Sequence, residues 1–209
     1  IIIMTTNGFT CEQDVEIIEQ RLVYQGFSRL EVVRLKHRQF AGGMGVVIQR
    51  ELLIKPEAVG VLIYDPKRDE VLMIEQFRVG ALAESNPWQL EIVAGLVDSV
   101  DDDETLETVV CREAFEEAGV TLTHVKKVMT YLMSPGGSNE KFTLFVAQAD
   151  LTHAGGLHGL PEEGEDIKVT VLKAETVFQA LMDGRVSNAP ALIALQWLML
   201  NKQNLAICR

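Results

Sequence analysis

The chain has 209 residues, enough for one sizeable domain or a domain with a small appendage, and its 47% hydrophobic content suits a packed core. A formal net charge of −11 excludes broad attraction to nucleic-acid phosphates or anionic lipid heads, so a phosphate compound could be handled here only where the sign is locally reversed. Cys11, Cys111 and Cys208 are an odd set without close spacing, which fits a reducing compartment better than a disulfide framework or a zinc cluster. No run approaches the roughly 18 apolar residues of a membrane span, and "IIIMTTNGF" has no basic segment ahead of a long apolar one. A soluble cytoplasmic protein without nucleic-acid or membrane partners is expected, with Met4 as a candidate start.

The first fifty or so residues read as β-rich pieces that could form a small sheet of their own: "RLEVVRLKHRQF" partly alternates, "GGMG" interrupts it and "VVIQREL" resumes. "AVGVLIYD", the turn "PKRDE" and "VLMIEQFRV" predict a hairpin inside a larger sheet. "WQLEIVAGLV" predicts one further strand running into a glycine-containing loop. Beyond the acidic segment that follows, "VKKVMTYLM" and "KFTLFVAQA" predict strands on either side of "SPGGSNE", and "DIKVTVLK" another. "AETVFQALMDG", closed by Gly184, and "APALIALQWLMLNK" predict amphipathic helices. The class is α+β with a mixed sheet. There is no fixed-period repeat and no low-complexity tract.

"DSVDDDETLETVVCREAFEEAG" carries the chemistry. Asp101 followed by Glu104 predicts a capping box, and Gly119 is the natural stop. At about 100° per residue Leu106, Val109, Val110 and Ala114 form one stripe. Glu113 and Glu117 fall within it and Glu116 beside it, while Phe115 lies opposite. Composition alone favours a solvated acidic face, the ordinary meaning of a charge run. Direction argues otherwise, because carboxylates turned inward are costly unless paired or metal-bound. A hard divalent cation, Mg²⁺ or Mn²⁺, removes that cost, whereas Arg112 alone cannot balance three glutamates. A calcium loop starting at Asp98 fails, since Asp103 stands where the turn glycine is needed and Val109 where a bidentate glutamate is needed.

Gly95, Glu104 and the run from Arg112 through Glu113, Ala114, Phe115, Glu116, Glu117, Ala118 and Gly119 to Val120 resemble the Nudix box, G-x5-E-x7-R-E-U-x-E-E-x-G-U with U aliphatic. From Glu104 onward the match is complete. Upstream, eight residues, Leu96 to Asp103, stand where the pattern has five, which lengthens the loop and leaves the box glutamates in register. The segments "DVEII", "VYQGFSRL", "DPKRDEVLMIEQFRVGA", "NPWQLEIVAG", "SPGGSNE" and "GLHGLPEEGEDI" are similar in order and spacing to bacterial ADP-ribose pyrophosphatases of that family.

That resemblance implies an α/β/α Nudix sandwich over residues 56–209 and an N-terminal β-domain over residues 1–55 that crosses over in a homodimer. It implies Mg²⁺-dependent cleavage of ADP-ribose into AMP and ribose 5-phosphate, with Mn²⁺ a possible substitute. The metal ligands it implies are Glu113, Glu117, Glu116 and the carbonyl of Ala94. Arg112 and Glu104 would fix the glutamates, although helix capping explains Glu104 equally well. Glu163 would activate water, with Glu162 and Glu165 as competitors. Arg78 and Arg50 would bind diphosphate and the adenine face, Phe27 would stack on adenine from the partner subunit, and Glu140 would lie near the terminal ribose. Without the resemblance, Arg50 and Arg78 read as surface ion-pair formers and Phe27 as a core aromatic. Three other readings are an enzyme for another nucleoside diphosphate sugar such as GDP-mannose, a non-catalytic module that senses ADP-ribose, and a structural acidic protein. A substrate panel separates the first, the intact Glu113, Glu116 and Glu117 speak against the second, and metal titration separates the third.

Overall fold

The computed structural model describes residues 8–97, 105–161 and 164–205. Two compact units are present, one formed by the described residues up to Lys55 with Leu132–Glu140, the other by the described residues of Pro56–Tyr131 and those from Lys141 onward.

In the first unit a short helix α1 (Cys11–Asp14) starts at Thr10, whose Oγ1 accepts from Gln13 N at 3.2 Å while its own N–H donates to Asp14 Oδ2 at 2.8 Å. This reciprocal pairing satisfies amides that the first turn leaves open. Strands β1 (Val15–Gln25), β2 (Arg29–His37) and β3 (Ile48–Ile54) form an antiparallel sheet in that order. Bulges between Ile17 and Glu19 and between Leu22 and Tyr24 put successive apolar residues of β1 out of strict alternation. Ile17, Leu22 and Tyr24 are exposed within the single chain.

The second unit is built on β4 (Ala58–Asp65), every residue of which is buried. A strand covered on both faces reads as an unbroken apolar run, and "AVGVLIYD" is one. It pairs antiparallel with β5 (Glu70–Phe77) through the predicted turn, where Asp65 Oδ1 accepts from Lys67 N at 2.9 Å and Arg68 N at 3.2 Å.

The segment predicted as one strand forms two, β6 (Trp88–Glu91) on β5 and β7 (Val93–Leu96) on β4, with buried Ile92 between them. The cause is tertiary: β4 and β5 pair only from Ile63↔Leu72 to Asp65↔Glu70 and then diverge, and the later segment fills the gap by pairing first with one and then the other.

The remaining strands are β8 (Thr123–Leu132), β9 (Lys141–Gln148), β10 (Gly156–His158) and β11 (Ile167–Lys173), giving the order β10-β11-β5-β4-β9-β8. β4 and β9 are parallel, so the sheet is mixed as expected. Helix α2 (Leu106–Ala118) covers one face, packing Val109, Val110 and Ala114 against Val59, Val61, Ile63 and Phe145. Helices α3 (Ala174–Met182) and α4 (Ala189–Leu205) lie on the other, where Lys202 of α4 and Tyr64 of β4 both reach Asp69. Gly184 follows α3 at φ 81°, a left-handed conformation that glycine adopts without a β-carbon penalty. α4 buries Ala191, Ala194, Leu195 and Leu198 yet also exposes Leu200, so its apolar residues are not confined to one side.

Candidate functional site

The acidic helix keeps the register its wheel predicts. Val109, Val110, Ala114 and Ala118 are buried together with Glu117, which is 3% exposed, while Phe115 on the opposite side is 64% exposed. The described helix is capped by Thr105, whose Oγ1 accepts from Thr108 N at 3.2 Å, while Asp101 and Glu104, the pair expected to form a capping box, lie outside the described residues. At the other end Gly119, at φ 64°, lets its N–H reach Phe115 O at 2.9 Å and Val120 N reach Ala114 O at 3.1 Å.

Strand β7 lies under this helix. Ala94 N donates to Glu117 Oε2 at 3.0 Å, and Gly95 leaves the space that the Glu113 carboxyl occupies, since a β-carbon at Gly95 would overlap it. Burial pushes the Glu117 carboxyl up to about 8, only partly offset by the Ala94 N–H, and the charges of Glu113 and Glu165 add to the rise. Burial pushes Glu113 up to about 7 against the lowering effect of Arg112, with Glu116 and Glu165 again raising it. Arg112 Nη1 sits 3.0 Å from Glu113 Oε1 and 3.0 Å from Glu116 Oε2, so Glu116 is turned toward the arginine.

Among the described residues no three His, Cys, Asp or Glu side chains are gathered into a ready-made metal cluster. Like charges repel, and Arg112 draws Glu116 aside. The donors nevertheless suit a hard divalent cation: two carboxylates held out of water at the cost of raised pKa values are a cost that a cation reverses.

Arg78, at the end of β5, is within electrostatic reach of Glu117 and lowers its pKa. Its Nε and Nη2 lie 2.9 Å and 2.8 Å from Glu91 Oε2. Sequence reasoning did not single out Glu91; the signal available was an acid in an otherwise apolar strand, "WQLEIVAG".

Glu104, Glu162 and Glu163 lie outside the described residues. Glu165, the described competitor, accepts from Leu160 N at 3.0 Å. In the first unit Phe27 is 85% exposed, which overturns the core-aromatic reading. Arg50 is exposed and donates through Nη1 to Gln49 O at 2.8 Å, while Glu140 pairs with Lys55 Nζ at 2.8 Å. "SPGGSNE" closes as a turn, Gly137 N and Ser138 N both donating to Ser134 O.

The second unit is thus an α/β/α domain in which carboxylates of α2, Glu117 buried and Glu113 beside it, meet the glycine-bearing strand β7. Residues 54–191 match the NUDIX domain model. The chain is 43% identical over 194 residues to the ADP-ribose pyrophosphatase of Haemophilus influenzae, covering 91% of this chain and 88% of that one. It is 30% identical over 192 residues to the GDP-mannose pyrophosphatase of an Enterobacter species, covering 90% and 96%. A crystal structure described as an ADP compounds hydrolase shares the fold, with a TM-score of 0.67 and 22% identity over 90% of this chain and 96% of that one. The chain belongs to the Nudix family of hydrolases.

Proposed function

We propose that the protein hydrolyses the pyrophosphate of ADP-ribose to AMP and ribose 5-phosphate. The observation that carries the reading is the inward pair Glu113 and Glu117 over Ala94 and Gly95, supported by 43% identity to a relative named for that activity. Glu113 and Glu117 would hold Mg²⁺, with Glu116 and the Ala94 carbonyl as further donors, and Mn²⁺ could replace it. When bound, the ion would neutralise the diphosphate oxygens that otherwise repel the nucleophile and would lower the pKa of water so that hydroxide is available to attack phosphorus.

The chain's own groups do the rest. The Ala94 N–H holds the Glu117 rotamer, and Arg112 orders Glu113 and Glu116, with Glu104 as its further partner. Glu163 takes the proton of the attacking water, a role for which Glu162 and Glu165 are the competitors. Arg78 and Arg50 face the diphosphate and the adenine ring, and Glu140 the terminal ribose. Phe27 stacks on adenine bound by the partner subunit of a homodimer formed through residues 1–55, a state supported by the exposed Ile17, Leu22, Tyr24 and Phe27.

Incubation with ADP-ribose and Mg²⁺ in oxygen-18 water tests this. AMP and ribose 5-phosphate should appear, and the labelled product identifies the phosphorus attacked. The 30% identical relative named for GDP-mannose motivates a second reading, and faster turnover of GDP-mannose in a substrate panel would favour it.

A further inference from the structure

Arg78 is the cation acting on buried Glu117, and its side chain is held from one edge. Its backbone N–H donates to Pro87 O at 2.9 Å, just before the 3-10 turn Val79–Ala81. Its Nε and Nη2 both go to Glu91 Oε2, an oxygen that also accepts from Gln76 Nε2 at 3.4 Å. The register Gln76↔Gln89 and Ile74↔Glu91 sets Glu91 diagonally across from Gln76, so the carboxylate is fixed by the pairing of β5 and β6. Among the described residues Nη1 has no partner. The Glu91 side chain is 12% exposed and that of Arg78 44%. A pair whose cation is this accessible adds little stability. A half-buried acid gripping one edge of a guanidinium instead leaves the other edge ordered for an anion.

We infer that Glu91 is a positioning residue, which orders the Arg78 guanidinium for the diphosphate of the substrate. This rests on the reading of the site as a pyrophosphate hydrolase, and it assigns Arg78 its geometry from within β6. The sign of the effect is diagnostic. Deleting a negative charge beside Arg78 strengthens anion attraction by electrostatics alone, so weaker binding in the variant identifies lost ordering as the dominant effect. Freeing one long side chain weakens binding by about three- to tenfold.

The test is a double-mutant cycle with Glu91→Gln and Arg78→Ala on the Mg²⁺-loaded protein, titrated calorimetrically with inorganic pyrophosphate and assayed with ADP-ribose. Glu91→Gln should weaken pyrophosphate binding and raise KM by about three- to tenfold, with kcat changed by less than about twofold. In the Arg78→Ala background the same change should do nothing further. Should Glu91→Gln fail to fold, Glu91→Asp, which keeps the charge but shortens the reach, enters the same cycle with the same expectation. Equal losses with and without Arg78, or unchanged affinity in Glu91→Gln, would overturn the inference. If the cycle couples but ADP-ribose is not cleaved, the substrate reading falls and the Glu91 role stands. If ADP-ribose is cleaved and the substitutions act independently, the reverse holds.

Discussion

The backbone N–H of Ala94 donates to Glu117 Oε2 at 3.0 Å, joining strand β7 to helix α2 through a side chain that is only 3% exposed. One hydrogen bond to a buried carboxylate orients it without neutralising it. A buried charge held this way carries a strain that, on the proposed reading, a cation would relieve.

Glu117→Gln tests that strain directly. Gln keeps the volume and one acceptor for Ala94 N–H but removes the charge, so the metal-free protein should melt no lower than wild type. The Mg²⁺-induced rise in melting temperature should disappear, and kcat should fall by about a hundredfold or more. Near-normal turnover would remove Glu117 from the ligand set.

Gly95→Ala should act on the neighbouring acid. The added β-carbon overlaps the Glu113 carboxyl and must displace it. Mg²⁺ affinity, measured by calorimetry, should drop by about tenfold to a hundredfold while the fold is kept, because the flexible end of Glu113 can move. Unchanged affinity would mean that Glu113 does not ligate from this rotamer.

The pH dependence has a definite sign. Glu113 and Glu117 are raised from 4.5 to about 7 and about 8, so the folded state holds protons that the unfolded chain has released. Their contribution is full below about pH 4.5 and is lost as pH rises through 7 and 8. Asp14, Asp69, Glu70, Asp150 and Asp183 are lowered, so their contribution persists above their ordinary values and fails only in stronger acid. Thermal melts with chelator between about pH 5 and pH 8.5 should therefore show a fall that Mg²⁺ offsets, most strongly at the alkaline end. A Mg²⁺ effect independent of pH would contradict the carboxylate ligands.

Glu163→Gln should slow hydrolysis by about a hundredfold to ten-thousandfold while leaving Mg²⁺ affinity largely intact. An unaffected rate would transfer the proton-accepting role to Glu162 or Glu165. Glu165→Gln provides the control, because that side chain also closes its own loop on Leu160 N.

Phe27→Ala should raise KM for ADP-ribose with little change in melting temperature, since a ring 85% exposed contributes little to the core. Sedimentation should show a dimer in both forms. A monomer in the wild type would remove the role assigned across subunits.

The sequence by itself determined that Glu113 and Glu117 share the apolar stripe of α2 while Phe115 lies opposite, because side-chain direction along a helix follows from spacing alone. The hairpin β4–β5 and the stop at Gly119 were legible for the same local reason. Two features required the tertiary structure. The break at Ile92 depends on where β4 and β5 part, and the grip of Glu91 on Arg78 on two strands meeting in register. Each joins residues whose partners are set by packing across the chain, and the raised carboxyls of Glu113 and Glu117 likewise come from water excluded by the strands that α2 packs against.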